Sequence, residues 1–274
     1  ETIQDKGKQK QFFQDHNIPT SSFQLFDKGS EDLEEGFIKL RHGGYDGKGV
    51  FLWKKEKTFP IEFEKPVVWE EKIKVKKEIS VLVARNRKGD VEVYEPVEMV
   101  FNHELNLIDY TIAPSSLNQI QKEEVSALAE KIAVKINSEG ILAVEFFLTE
   151  DDKILVNEMA PRPHNSGHHT IESTKCSQFE NHIRGVLDYP LGSTKQLRKY
   201  AMTYNLIGGG ESGDTLVHGM QELLEFEDMS LHLYGKKECR PGRKMGHVTI
   251  LADSFEKLMD SYNKTKNIVS ITGK

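Results

Sequence analysis

Cysteine is scarce in this chain: Cys176 and Cys239 are the only two in 274 residues. Two are too few for a disulfide scaffold, and their spacing matches no metal motif. A reducing, cytoplasmic setting is therefore expected. Long apolar runs are also missing. The longest, Ile141 to Leu148, is interrupted by Glu145 and falls far short of the ~18 residues that a membrane-spanning helix needs. There is no excess of positive charge: 37 Lys and Arg stand against 43 Asp and Glu, a formal net charge of −6. That balance argues against nucleic acid as a partner, although a local basic patch can still hold one anion. Neither an internal repeat nor a signal peptide is visible. The first residues, Glu1-Thr2-Ile3-Gln4-Asp5, do not include a starting Met, so a beginning inside a larger protein, or the removal of a domain, is expected.

What remains is the balance of a soluble globular protein, 37 % hydrophobic and 29 % charged, long enough for a sizeable core and two domains. Helix formers run from Lys6 to His16, stopped before Pro19. Phe37-Leu40 and Val50-Trp53 read as strands around a glycine-rich stretch. Glu78-Ala84 and Val91-Val97 flank a hairpin turn at Arg87-Asp90. Ser116 with Gln119 reads as the capping box of a helix reaching about Asn137, with Val125, Leu128, Ala129, Ile132 and Ile136 on one face. Strands follow at Ile141-Leu148 and Ile154-Met159, then a helix from about Glu172 to Val186 and a linker at Pro190-Lys195. Further strands are expected at Ala201-Ile207, Ser230-Tyr234 and His247-Leu251, before a last helix capped by Asp253 and Glu256. The mixture predicts an α+β fold.

Glu145 and Glu158 carry the most chemical information. Each lies in an apolar strand, where a carboxylate is costly unless something pairs with it. A two-residue loop at Asp151-Asp152 sets Glu150 against Lys153. Counting back along both strands then sets Glu145 against Glu158. Like charges directly opposite destabilise a sheet, and a divalent cation between them reverses the sign. Oxygen-only ligands suit Mg²⁺; two solvated edge carboxylates are the alternative. Asn157 belongs on the other face unless the strand is bulged.

Gly43, Gly44, Gly47 and Gly49 let a backbone approach a phosphate closely. The stretch is neither a Walker A loop nor a dinucleotide fingerprint, since a strand rather than a helix follows it. It reads as a hairpin flap, with Lys39 one strand earlier placed to reach the same anion, or as a plain surface turn. After Glu158 comes Ala160-Pro161-Arg162-Pro163-His164-Asn165-Ser166-Gly167-His168-His169. This is a binding loop in which Arg162 suits a phosphate or carboxylate; a zinc site on its histidines is the rival reading. Lys236, Lys237, Arg240, Arg243 and Lys244 crowd a turn bearing Pro241 and Gly242, an anion site or a solvated basic loop.

Three stretches occur in a telling order: Gly43-Gly44-Tyr45-Asp46-Gly47-Lys48-Gly49, Asn157-Glu158-Met159-Ala160-Pro161-Arg162-Pro163-His164-Asn165-Ser166-Gly167-His168, and Arg240-Pro241-Gly242-Arg243-Lys244-Met245-Gly246-His247. Together they resemble the N5-carboxyaminoimidazole ribonucleotide synthetases, ATP-grasp ligases of purine synthesis, over essentially the whole chain. The resemblance implies an ATP-grasp fold at 1–190, with a flap-bearing subdomain at about 20–75, and a small β-rich C-terminal domain at 196–274. It implies ATP and Mg²⁺, and phosphorylation of bicarbonate to carboxyphosphate. The carboxyl group then passes to the amine of aminoimidazole ribonucleotide. Lys39 resembles the family lysine on the α-phosphate side, and Gly43 to Gly49 resemble the flap. Glu70, Glu71, Lys72 and Ile73 resemble the adenine hinge, with Glu78 at the ribose and Asn157 preceding Glu158. Glu145 and Glu158 match the Mg²⁺ carboxylates. Tyr45, Asp46 and Lys48 match flap residues facing the ribonucleotide. Arg162, His164, Asn165, Lys236, Arg243 and Lys244 match positions around it, with Arg162, Lys236 and Arg243 as the catalytic cations.

The sequence departs from the family in places. Lys6 stands where an Arg is usual and cannot offer its planar fork to ATP. His103 matches a nucleotide-site histidine, but its neighbours Phe101 and Asn102 differ. The Rossmann-like domain that precedes the ATP-grasp portion in the family is expected to be absent, and with it part of the surface of the family's homodimer. Alternatives are a formate-using glycinamide ribonucleotide ligase and a nucleotide-binding fragment without activity.

Overall fold

The structure, a computed structural model, describes residues 2–28, 33–43, 49–54, 65–102 and 107–274. The chain opens with α1 (Lys6–Asp15), then β1 (Phe23–Phe26), β2 (Gly36–Leu40), β3 (Val50–Trp53), β4 (Val67–Glu71), β5 (Val75–Arg85), β6 (Val91–Val93), β7 (Val97–Asn102) and β8 (Leu107–Ala113). Helix α2 (Gln119–Lys135) leads to the hairpin β9 (Gly140–Thr149) and β10 (Ile154–Ala160), then α3 (Thr170–Ser173) and α4 (Gln178–Val186). The last part holds β11 (Tyr200–His218), α5 (Met220–Leu223), β12 (Met229–Leu233), β13 (Glu238–Cys239), β14 (Lys244–Ala252), α6 (Phe255–Thr265) and β15 (Ser270–Gly273).

Two sheets organise these elements, as the α+β reading expects. The first is four-stranded, in the order β1-β4-β2-β3. It buries Ile38, Trp53, Val67 and Trp69 on one face, leaving Lys39 on the other. The second is eleven-stranded, with the central path β10-β9-β5-β7-β8-β11-β14-β12. Because β8 pairs with β11, the C-terminal segment continues the same sheet across residues 190–195. Those residues are tied down: Cys176 N donates to Ser193 O at 3.0 Å, and Lys175 N to Lys195 O at 3.1 Å.

Period-2 alternation in β9 decides where the site lies. Leu142, Val144, Phe146 and Leu148 pack with α2 residues Val125, Ala129 and Ile132 into the main core. The opposite face carries Ile141 and Ala143, which join Leu82 and Ala84 where α4 packs against β9. Glu145 and Phe147 lie further along that face, next to Ser80 and Glu78 of β5. In the C-terminal part, α6 lays Leu258 and Tyr262 on Met202, Tyr204, Val248 and Ile250.

Several local readings are corrected. The cap of α2 is Asn118, reciprocally bonded with Gln121; Ser116 instead bonds Glu98 and Lys77. Ser254, not Asp253 or Glu256, caps α6. The helix expected from Glu172 to Val186 is two helices. Thr174 is extended between them, and Ser177 caps α4 afresh by accepting from Glu180 N. Polar side chains compete with the helical backbone at Thr174 and Ser177, which is why helix formers alone did not reveal the break.

Candidate functional site

The site begins with the hairpin. Its loop has three residues, 150–152, rather than two: Thr149 N bonds Lys153 O at 2.9 Å, and Asp152 takes a positive φ of 58°. Ile154 therefore faces Leu148, and Val156 faces Phe146. Continued unbroken, that register would set Asn157 against Glu145. A β-bulge between Val156 and Glu158 restores the Glu145↔Glu158 pairing. The extra residue is Asn157, and the bulge turns its side chain to the carboxylate face. Its Nδ2 lies 3.4 Å from Glu145 Oε2 and its Oδ1 accepts from Lys39 Nζ at 3.1 Å.

Each carboxylate has a nitrogen partner. Lys6 Nζ forms an ion pair with Glu158. His164 Nε2 lies 3.3 Å from Glu145 Oε1. Burial would raise the Glu145 pKa, but His164, Lys6 and Lys39 outweigh it and hold the group below its ordinary value. Glu78, on the same face of β5, has only Lys39 acting in its favour. Burial, with Glu145 nearby, pushes it up to about 7.

Behind Lys39 lies a buried ion cluster. Glu70 accepts from Lys39 Nζ and Lys10 Nζ, both at 2.9 Å, and from Ser21 Oγ at 2.9 Å. Lys10 also reaches Thr20 Oγ1 at 2.7 Å. Burial opposes the charge of Glu70, yet the two ammonium groups overcome it and bring the carboxyl down to about 2. Burial lowers Lys10 to about 8 despite Glu70. For Lys39, burial also acts downward, but Glu70, Glu158 and Glu145 together hold its pKa above the ordinary value. Lys39 thus stays charged, aimed at Asn157.

A cavity of about 660 Å³ lies beside this cluster, lined by Glu71, Lys72, Ile73 and Leu155 among others. Three of the four expected hinge residues therefore line one concavity. Glu70 does not, because its carboxylate is engaged with Lys10 and Lys39. The flap is described only at its ends, where Leu40 N bonds Gly49 O at 2.8 Å and both Gly43 and Gly49 have positive φ. The expectations for Gly44, Tyr45, Asp46, Gly47, Lys48 and His103 lie outside the described residues.

The loop after β10 brings the second set together. His164 and Asn165 open a 3₁₀ turn, Asn165–Gly167, whose far side meets the C-terminal sheet. His168 stacks on His247 with centroids 4.8 Å apart, and His247 on His232 at 4.5 Å. Tyr234 Oη lies 2.9 Å from His247 Nδ1, and Lys236 Nζ sits 5.4 Å from the Tyr234 ring centroid while donating to Lys244 O at 2.5 Å. Burial, then His164 and Lys244, lowers His168 to about 4, and burial, then His168 and His232, lowers His247 to about 3, so these two rings stack as neutral imidazoles. Arg162 is exposed and bonds Pro163 O at 3.1 Å; Arg243 bonds Glu238 O at 2.7 Å. The zinc reading gains no support: among the described residues no group of three ligating side chains is placed to hold a metal.

Sequence reasoning missed Lys10, Gln178, Arg41 and the histidine stack. Arg41 forks onto Asp5 at 2.8 and 2.5 Å, so an arginine–aspartate pair does occur near Lys6, but with the arginine on β2's end. A charged residue buried on the inner side of a short helix is a weak signal for Lys10, since only its partners reveal it.

Chemically, the arrangement offers oxygen donors from Glu145, Glu158 and Asn157, flanked by Lys6 and Lys39. That combination neutralises phosphate charge around a hard cation. Set between a flap-bearing small sheet and a larger sheet, it defines an ATP-grasp protein. A model of the ATP-grasp domain matches residues 11–179, and one of the phosphoribosylaminoimidazole carboxylase C-terminal domain matches residues 201–261. The chain belongs to the N5-carboxyaminoimidazole ribonucleotide synthase family. It is 40 % identical over 218 residues to the enzyme of that name from Bacillus subtilis, covering 78 % of this chain and 55 % of the relative; the chain thus spans about half that relative's length. The synthetase from Thermotoga maritima superposes with a TM-score of 0.89 at 38 % identity, covering 99 % of this chain and 73 % of that one. A synthase from Aspergillus clavatus, solved in complex with ADP and 5-aminoimidazole ribonucleotide, matches with a TM-score of 0.85 at 27 % identity over 97 % of this chain and 73 % of that one.

Proposed function

We propose that this chain carries out the ATP-dependent carboxylation of 5-aminoimidazole ribonucleotide with bicarbonate. The observation that carries the reading is the single cluster in which Lys39, Asn157, Glu158, Glu145 and His164 meet. It matches in kind what an enzyme binding both a nucleoside diphosphate and this ribonucleotide needs. Bicarbonate oxygen attacks the γ-phosphorus, the bond to ADP breaks, and carboxyphosphate forms. The ribonucleotide amine then attacks the carboxyl carbon, or CO₂ released from it; phosphate leaves and the amine loses a proton.

Lys39, fixed by Glu70, stabilises the nucleotide phosphates. Glu71, Lys72 and Ile73 line the adenine end, with Glu78 toward the ribose. Lys6, now on Glu158, turns to a phosphate when nucleotide enters. Glu145 and Glu158, with Asn157 between them, fit Mg²⁺ because all their donors are oxygen and two opposed carboxylates call for a cation. When bound, Mg²⁺ neutralises charge on the transferring phosphoryl group. Arg162, Lys236 and Arg243 are the cations for the carboxyl chemistry, with His164, Asn165 and Lys244 around the ribonucleotide. The same reading carries a cytoplasmic location and, for the complete enzyme, a homodimer.

Exchange of acceptors tests it. ADP release with ATP and bicarbonate is expected to depend on aminoimidazole ribonucleotide. Release that responds instead to formate with glycinamide ribonucleotide would move the chain to the alternative ligase.

A further inference from the structure

One fully buried carboxamide grips the His164 backbone at both of its polar groups. Gln178 Oε1 accepts from His164 N at 2.8 Å, and Gln178 Nε2 donates to His164 O at 2.8 Å. The same Nε2 lies 3.3 Å from His168 Nδ1. Gln178 is 0 % exposed, and its own N–H is held by Thr170 Oγ1 at 2.9 Å. Its approach depends on Gly167, where a Cβ would come within 2.2 Å of Leu82 and 2.6 Å of Gln178 Oε1. The carboxamide therefore acts as a two-point clamp, reaching from the first turn of α4 across to the loop after β10.

The His164 ring is fixed separately. Its Nδ1 lies 2.9 Å from Ser166 Oγ and 3.4 Å from Ser166 N. A backbone N–H can only donate, so Nδ1 is the acceptor and the proton sits on Nε2, toward Glu145. Ser166 Oγ is tied in turn to Ser80 Oγ of β5 at 2.7 Å. Ser166 and Ser80 are both 0 % exposed, so neither is an available nucleophile. Their hydroxyls serve to orient the imidazole.

We propose that Gln178 is a positioning residue for the reaction, holding His164 so that its Nε2–H faces the Glu145 carboxylate and the reacting groups. This rests on the functional reading above. Gln178, Ser166 and Ser80 are fully buried and act through His164. A carboxamide is needed because one planar group must both donate and accept at a single peptide. A carboxylate keeps the acceptor and loses the donor.

The test compares wild-type chain with Gln178→Glu and Gln178→Met. Melting midpoints establish that each is folded. In Gln178→Glu, kcat for ribonucleotide-dependent ADP release is expected to fall about 10- to 100-fold, the scale of a slight misplacement of a reacting group. KM for ATP and the affinity for a non-hydrolysable ATP analogue should stay within about twofold. A second readout does not need turnover. ¹⁵N-histidine spectra should show His164 as the Nε2–H tautomer in wild type and as a tautomer mixture in the variant. A kcat within about twofold of wild type, an equal loss of kcat and nucleotide affinity, or an unchanged His164 spectrum would overturn the proposal. Should Gln178→Glu fail to fold, Gln178→Met, which removes both contacts to His164 without adding a charge, decides by the same criteria. If wild type itself shows no ribonucleotide-dependent release, the functional reading fails and the imidazole spectra alone judge the clamp.

Discussion

Glu158→Gln should reduce Mg²⁺-ATP-dependent turnover by about 10³-fold or more while leaving the fold intact. The carboxylate sits at a half-open position with side-chain exposure of 37 %, beside the more enclosed Glu145. Its neighbours do not depend on it for packing. The neutral amide retains one oxygen but removes the charge that pairs with Lys6 and, in the proposed complex, with the metal. Stability measured by urea unfolding should therefore move little, while steady-state ADP release should collapse. Turnover near wild type in a folded variant would remove the metal assignment from Glu158 and leave Lys6 as its reason for being there.

Glu70→Ala should be the most destabilising single change in the site. Glu70 is the shared counter-ion of two buried ammonium groups, at 2.9 Å from each. Removing one partner of a buried ionic cluster leaves charge without compensation, a cost of about 3–5 kcal/mol. The cluster also predicts the pH response. Glu70 titrates near 2 in the folded chain, below its ordinary 4.5. Its contribution is thus fully present above about 4.5 and is lost as pH falls toward 2. Urea midpoints of wild type should drop through that window, and the Glu70→Gln variant should lack that part of the slope. A Glu70→Ala loss of under about 1 kcal/mol, the range of exposed ion pairs, would show that the cluster is well solvated and that Lys39 is not held by it.

How far the sequence disclosed this site can be followed through the carboxylate hairpin. Facing Glu145 and Glu158 was the right expectation, but it rested on a two-residue loop. The loop has three residues, which shifts the register by one, and the bulge at Asn157 shifts it back. Turn length and bulges are local backbone choices among acidic and polar residues that suit several turns equally, so residue type does not decide between them. The bulge is also what gives Asn157 its place beside Lys39. The alternating core of β9 and the apolar face of α2 were legible because burial follows a fixed period there. Helix ends were less so: Asn118, Ser177 and Ser254 each compete with neighbouring polar residues for the same capping role. Gln178 and Lys10 were invisible because their meaning lies in partners distant in sequence, such as Glu70 for Lys10. The family motifs set His164, Lys236 and Lys244 around one expected substrate, but the stack of His168, His247 and His232 that joins their segments appears only when loop and sheet are seen together.

Calorimetric titration of the chain with a non-hydrolysable ATP analogue, with and without Mg²⁺, tests whether this cluster is the nucleotide and metal site. One site is expected, whose occupation requires Mg²⁺ and is weakened both by Glu158→Gln and by Lys39→Met. Binding that ignores Mg²⁺ and both substitutions, or no binding by a folded sample, would contradict the assignment of this cluster as the nucleotide and metal site.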